Sequence, residues 1–144
     1  MEVMKNTIYN SDANSDNNIE QLQQHALDWD KLIQQSTDDI IFLKKLLSSD
    51  VFENYEASFF DTIKIRLKDL EEFKAEKIDL HYSINNHKND LNGMRECEDI
   101  SCDMFYEEEH KKLRERVRNF LKKFRDLKLE IYDYSSPNFR KLTI

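Results

Sequence analysis

Apolar and aromatic residues recur at alternating steps of three and four along the last third of the chain. This ladder consists of His110, Leu113, Val117, Phe120, Phe124, Leu127, Ile131 and Tyr134. Steps of three and four average close to one helical turn, so all eight side chains share one face of an α-helix. The pattern predicts a long amphipathic helix that buries this face.

Two earlier segments carry the same pattern. The first ladder consists of Ile19, Leu22, Ala26, Trp29, Ile33, Ser36, Ile40, Leu43 and Leu47. The second is less regular and includes Phe59 or Phe60, Ile63, Leu67, Leu70, Phe73, Ile78, Leu80, Ile84 and Leu91. Lys74 and Lys77 interrupt it, so we expect the buried stripe to shift phase there. The three ladders therefore predict three helices.

Short polar breaks indicate the helix boundaries. Residues 48–50 (Ser-Ser-Asp) separate the first two helices and favour an antiparallel hairpin. Gly93 is a candidate left-handed cap after the second helix, and the Ser-Ser-Pro sequence at 135–137 is expected to stop the third. The predicted organisation is a flexible polar tail over residues 1–15, one bundle domain over 16–134 with helices at about 17–47, 51–92 and 102–134, and a C-terminal tail over 135–144.

The ladders predict an all-α fold of three long antiparallel helices, in an up-down-up bundle with coiled-coil-like packing. Leu32, Leu46 and Leu121 flank the main ladders and widen the apolar faces. Faces this wide suit three or more helices better than a two-stranded coil. A bundle completed by dimerisation, in which a second copy supplies a fourth helix, is the main alternative.

Two polar residues and one tryptophan lie on or near the apolar ladders. Ser36 in the first helix and Arg66 near the seam of the second are interpreted as register-setting residues, because a polar group at a core position restricts how helices align. Trp29 is expected to be a core anchor.

The amino-acid composition excludes several classes of function. The chain has one glycine and one proline in 144 residues. Glycine-rich phosphate loops and dinucleotide fingerprints each need several glycines, and no nucleophile elbow, zinc-protease motif or calcium loop is present. We therefore expect no cofactor, no small-molecule substrate and no enzymatic activity.

Charge and hydropathy favour a cytoplasmic protein. Charged residues make up 35% of the chain, and the formal net charge is −7. No stretch approaches the length of apolar sequence that spans a membrane, and residues 1–18 lack the pattern of a secretory signal. In the reducing cytosol, Cys97 and Cys102 are expected to be free thiols.

Positive charge is concentrated near the C-terminus. Residues 111–144 hold 11 basic and 4 acidic side chains, a charge of +7, whereas residues 1–110 carry −14. The candidate interaction residues are Arg114, Arg116, Arg118, Lys122, Lys123 and Arg125. They can neutralise the acidic second helix, bind a protein with an acidic surface, or bind nucleic acid or an anionic membrane surface. Nucleic acid is disfavoured by a pI of about 5.1, and because the nearby Phe120 and Phe124 belong to the buried ladder.

An up-down-up bundle brings His25, His81, His87 and His110 toward one end. Glu107 and His110 form a Glu-x-x-His pair, which is the spacing that di-iron bundles use for metal ligands. The candidate metal ligands are His25, His81, Glu107 and His110. Only one such pair is present where di-iron bundles need two, so a histidine satisfied at the core boundary is the alternative for His110.

Part of the first helix resembles a group of small all-helical proteins of the Bacteroidetes. The residues that carry the resemblance are His25-Ala26-Leu27-Asp28-Trp29 and Phe42-Leu43-Lys44-Lys45-Leu46-Leu47. No activity is attached to that group. The resemblance implies a bacterial cytosolic protein and assigns no functional residues.

The sequence predicts a non-enzymatic helical bundle that acts through protein–protein interaction or scaffolding, with another protein or a second copy of itself as partner. One alternative is a metal-binding bundle with a His/Glu site at one end. The other is a nucleic-acid or membrane-surface binder that uses the basic stretch of the third helix.

Overall fold

Three long helices make up most of the chain. The computed structural model describes the backbone of residues 11–52 and 55–143 and the side chains of residues 18–50, 52 and 55–135. The elements are helix α1 (Ser11–Leu47), a 3₁₀ turn (Asp50–Phe52), helix α2 (Ala57–Asp90), a 3₁₀ helix (Leu91–Glu96) and helix α3 (Ile100–Thr143). The described residues contain no strand, and all pairs of helices pack together, which confirms the predicted three-helix bundle.

Two contacts show that α1 and α2 are antiparallel. Lys44, near the end of α1, bonds Glu71 of α2. Thr37, earlier in α1, accepts a hydrogen bond of 2.6 Å from Lys77, which lies later in α2. The brief break after Leu47 therefore reverses the chain, as the sequence predicted.

The chain contains two compact units. The first combines the chain up to Leu32 with Leu80–Val117, and the second combines Ile33–Asp79 with the chain from Arg118 onward. A buried cluster in the first unit consists of Ile19, Leu91 and Met94, with Leu22, Cys97 and Tyr106 packed against it. The buried cluster of the second unit consists of Ile40, Leu43, Leu46, Leu47, Phe52, Ile63, Leu70, Phe124, Leu127 and Ile131.

The predicted ladders lie on the buried faces of α1 and α3. Their buried members are Ile19, Ala26, Ile33, Ser36, Ile40, Leu43 and Leu47 in α1, and His110, Leu113, Val117, Phe120, Phe124, Leu127 and Ile131 in α3. Trp29 is half-buried, so it is not the interior anchor that we expected. The Ser36 hydroxyl donates to the carbonyl of Ile33 at 2.6 Å, so its polar group is satisfied within its own helix.

The buried stripe of α2 keeps its steps of three and four through Lys77, so the predicted phase shift was wrong. Lys77 takes a half-buried position between Phe73 and Leu80, and its ammonium group donates to Thr37. Ile78 is consequently turned outward and is exposed, so its assignment to the ladder was wrong. A lysine can occupy such a position because its long stem packs against apolar neighbours while its charged end finds a polar partner.

The boundaries around α1 and α2 differ from those predicted. Helix α1 begins at Ser11, so a tail over residues 11–15 was wrong, and residues 1–10 lie outside the described part of the chain. Helix α2 begins at Ala57 and ends at Asp90. Gly93 lies inside the following 3₁₀ helix and is not in the left-handed conformation. A Cβ atom at Gly93 would lie 2.6 Å from the Tyr106 hydroxyl oxygen, so close approach is what favours glycine here.

Helix α3 continues to Thr143, so the predicted stop at residues 135–137 and the C-terminal tail over 135–144 were wrong. Proline within a helix disturbs the carbonyls of the preceding turn. Two side-chain hydrogen bonds reach carbonyls near this point: the Ser135 hydroxyl donates to the Ile131 carbonyl at 2.9 Å, and the Tyr55 hydroxyl donates to the Tyr134 carbonyl at 2.9 Å. The serine that was expected to end the helix therefore lies buried within it.

Candidate functional site

Three of the four histidines meet in the first unit, one from each helix. His25 Nδ1 of α1 lies 3.3 Å from His110 Nε2 of α3. The other ring nitrogen of His110, Nδ1, lies 2.8 Å from His87 Nε2 of α2. We call these three residues the histidine chain. His110 is at its centre and uses both ring nitrogens.

The surroundings of His110 and His87 favour neutral imidazoles. His110 is only 3% exposed, and the centroid of its ring lies 4.5 Å from that of Trp29. Burial, followed by the neighbouring His87, His25 and Arg114, lowers the pKa of His110 to about 4. Burial also lowers the pKa of His87. The central ring is therefore uncharged near neutral pH.

The structure does not bring the four predicted metal ligands together. His81 Nδ1 lies 2.8 Å from an oxygen of Asp30, and Glu107 accepts a hydrogen bond of 3.4 Å from Asn18. His110 presents opposite nitrogens to its two neighbours, so the histidine chain has no common centre for an ion. Within residues 18–50, 52 and 55–135, no group of three or more His, Cys, Asp or Glu side chains is placed to hold a metal.

His87 was absent from the predicted set although its sequence position indicated it. It follows Ile84 by three residues and precedes Leu91 by four, so it continues the buried stripe of α2. His81 was chosen in its place, but it lies beside the stripe and is half-buried. The position of a histidine in the three-and-four spacing of the buried stripe indicated its burial better than residue type alone did.

The basic residues of α3 have varied surroundings. In the first unit, Arg116 donates to the Ser83 hydroxyl at 3.2 Å, and Arg114 is half-buried with its Nε hydrogen-bonded to no described residue. The remaining predicted interaction residues belong to the second unit and are exposed: Arg118, Lys122, Lys123 and Arg125. Phe120 and Phe124 are buried, so they offer no stacking surface beside these bases.

Cys97 and Cys102 form a disulfide, which the prediction of free thiols missed. Cys97 ends the 3₁₀ helix in an extended conformation, and Cys102 lies in the first turn of α3. Their Cα atoms are 5.4 Å apart, within the range that a disulfide spans. The prediction of free thiols rested on an expected cytosolic location. The distance between the two cysteines depends instead on the turn between the 3₁₀ helix and α3.

Asp103 is a buried carboxyl beside the disulfide. It is 5% exposed, and neither of its carboxyl oxygens is hydrogen-bonded to a described residue. Burial raises the pKa of Asp103, and the negative charge of Glu107 one turn later raises it further. Asp103 lies seven residues before His110 and continues the α3 ladder, so sequence spacing could have identified it. A carboxylate in this position destabilises the fold at neutral pH.

Replacing Asp103 with asparagine is expected to raise the free energy of unfolding by about 1 kcal/mol at neutral pH, because the amide keeps the shape and removes the charge. The folded pKa lies above the ordinary value of 3.8. The loss of stability caused by the charged Asp103 carboxylate is therefore present when the pH exceeds the folded pKa. It is absent below 3.8, where Asp103 is protonated in both the folded and the unfolded chain. Urea unfolding at neutral and at acidic pH measures both quantities.

The exposed Glu108→Gln variant is the control for Asp103→Asn, and we expect it to change stability by less than about 0.5 kcal/mol. An Asp103→Asn variant less stable than the natural chain at neutral pH would contradict the interpretation.

Large apolar side chains are exposed where α3 begins. Ile100, Met104 and Phe105 are 59%, 59% and 61% exposed, and we call them the α3 apolar patch. Phe105 also lines an open cleft of about 880 Å³ in the first unit, as do Leu113 and His87. Single exposed apolar residues are common on proteins, but three within six positions, one of which lines a cleft, are typical of a binding surface.

None of the described helices contains a segment that is both long and apolar enough to cross a bilayer. Comparison of the chain with family models, with curated proteins and with solved structures found no significant match. The function is therefore argued from the geometry of the first unit.

Proposed function

We propose that this protein acts by binding another protein at the α3 apolar patch, and that the partner is either a different protein or a second copy of this chain. The observation that carries the proposal is the exposure of Ile100, Met104 and Phe105 at the start of one helix. Covering such side chains removes apolar area from water, which is the main source of affinity in protein association.

The charges around the adjacent cleft favour a protein partner over nucleic acid. The cleft is lined by Asp90 and Glu109 as well as by Lys112 and Arg116. Both signs of charge beside an apolar patch match the polar rim of a protein interface. A nucleic-acid site would need positive charge alone along this surface.

We also propose that the protein is bacterial and cytoplasmic. We propose that it acts by binding its partner and not by catalysing a reaction. The setting is supported by the charged composition and by the resemblance of the segment from His25 to Leu47 to helical proteins of the Bacteroidetes. The absence of phosphate-binding and hydrolytic motifs from the sequence supports contact as the mode of action.

A photo-crosslinking residue at Met104 tests the proposal in cells. We expect discrete cross-linked products, and we expect them to be lost when Phe105→Glu is added, because a buried unpaired charge opposes docking. The matched control places the same residue at Ile65, which is 53% exposed on α2 of the second unit.

The mass of the product identifies the partner. A product of twice the chain mass indicates a second copy, and any other mass indicates a different protein. Absence of products at Met104, or the same products at Ile65, would contradict the proposal.

A further inference from the structure

The disulfide combines two cysteines with different surroundings. Cys102 lies in the first turn of α3, where the positive end of the helix dipole favours a thiolate. Asp99 accepts the Cys102 backbone N–H at 2.9 Å and so caps this turn. Cys97 instead packs against the apolar cluster of Ile19, Leu91 and Met94. This asymmetry is typical of disulfides in which one cysteine exchanges with a substrate and the other resolves the intermediate.

As a purely structural link, the disulfide contributes little to the stability of the fold. The two cysteines are separated by five positions, and the stabilisation from closing a loop grows with loop length. Both cysteines are half-buried, so a thiol can approach them.

Asp103 is an independent sign of function at this position. It directly follows Cys102 and keeps a buried carboxyl that no described residue hydrogen-bonds. A feature that destabilises the fold beside a chemically reactive group is typical of functional sites.

We propose that the Cys97–Cys102 disulfide is redox-active and exchanges with a pair of thiols on the protein that docks at the α3 apolar patch. Phe105 follows Cys102 by three positions and so lies on the same face of α3, which places a partner that covers Phe105 beside the disulfide. The identity of the substrate as a protein rests on the proposed function, whereas the reactivity of the disulfide does not.

The exchange balances without a further oxidant. A thiolate of the partner attacks Sγ of Cys102, the Cys97–Cys102 bond breaks, and Cys97 leaves as a thiolate that takes up a proton. The partner's second thiol loses its proton and attacks the mixed disulfide, and Cys102 leaves as a thiolate. The partner dithiol is oxidised to a disulfide, and this chain's disulfide receives the two electrons. The reverse sequence reduces a partner disulfide.

Equilibration of the full-length chain with mixtures of reduced and oxidised glutathione tests the disulfide itself. We expect reduced and oxidised chain to coexist at intermediate mixtures, as counted by alkylation and mass measurement, with helicity unchanged on reduction. A chain that stays fully oxidised in excess reduced glutathione, or that loses its helices when reduced, would overturn the inference.

Two single-cysteine variants test the asymmetry. Cys97→Ser leaves Cys102, which we expect to form a mixed disulfide with oxidised glutathione roughly tenfold faster at neutral pH than the cysteine left by Cys102→Ser, since one pKa unit changes the thiolate fraction tenfold. Equal rates in the two variants would contradict the assignment of Cys102 as the attacked sulfur.

The Met104→Glu/Phe105→Glu double variant separates the two proposals. The probe is a reduced peptide with two cysteines flanked by leucine and phenylalanine. We expect the variant to slow exchange with this peptide severalfold more than it slows exchange with glutathione. Equal rates with the peptide would reject docking at the patch and leave the redox activity standing, whereas failure with glutathione would reject the redox activity alone.

Discussion

Replacing Phe120 with alanine is expected to lower the free energy of unfolding by about 3 to 5 kcal/mol, the range for truncating a fully buried phenylalanine. Phe120 has no exposed surface. Its ring meets Phe73 of α2 edge-on at a centroid distance of 5.6 Å and stacks on Phe124 at 6.2 Å. Truncation removes both contacts and leaves a cavity that the rigid helices cannot close.

Phe42→Ala is the matched control, because Phe42 is 50% exposed and contacts Tyr132 at the surface of the second unit. We expect it to cost less than about 1 kcal/mol. Urea unfolding followed by helical circular dichroism gives both values. Equal losses for the two variants would contradict the assignment of Phe120 to the core.

Acidification is expected to remove about 3 kcal/mol of stability through His110 alone. Its pKa falls from an ordinary 6.5 to about 4 in the folded protein. Because the unfolded chain binds the proton more readily, stability is complete above 6.5 and declines as the pH falls toward 4. The groups that face the ring are His25 of α1, His87 of α2, Trp29 and the charge of Arg114, and none of them is an anion that would stabilise an imidazolium.

The His110→Gln variant isolates this effect. Glutamine can donate and accept a hydrogen bond, but it does not titrate. The difference in stability between the natural chain and the variant should therefore shrink by about 3 kcal/mol between neutral pH and pH 4, and carboxylates elsewhere cancel from that difference. An unchanged acid slope in His110→Gln would disprove the assignment.

The ladders were sufficient to predict the three helices and their buried faces, because helix periodicity depends on local spacing. Interruptions were harder to interpret. Lys77 was interpreted as a break in the pattern because of its charge, although it takes its regular step in the buried stripe and donates to Thr37 of α1. The continuation of α3 through Pro137 was missed because proline more often ends a helix. The Tyr55 partner of the Tyr134 carbonyl lies 79 residues away and leaves no local mark in the sequence.

The candidate site was predicted in part. His25 and His110 meet as expected at one end of the helices, whereas His87 replaces His81 and no carboxylate joins them. The disulfide was missed because an assumption about compartment was applied to two cysteines whose distance depends on a turn. Asp103 was overlooked because a carboxyl on a buried ladder contradicts the usual pattern, and that contradiction is itself informative.

The histidine chain also couples the positions of the protons on its rings. A neutral imidazole carries a single N–H, so His110 can donate to only one neighbour and must accept from the other. When His25 and His87 are neutral as well, all three rings share one orientation of their protons, and reversing it changes the tautomer of every ring while the heavy atoms stay in place. His87 lines the cleft, and His25 lies on α1 across the first unit. A group in the cleft that selects one tautomer of His87 thereby selects which nitrogen of His25 holds its proton.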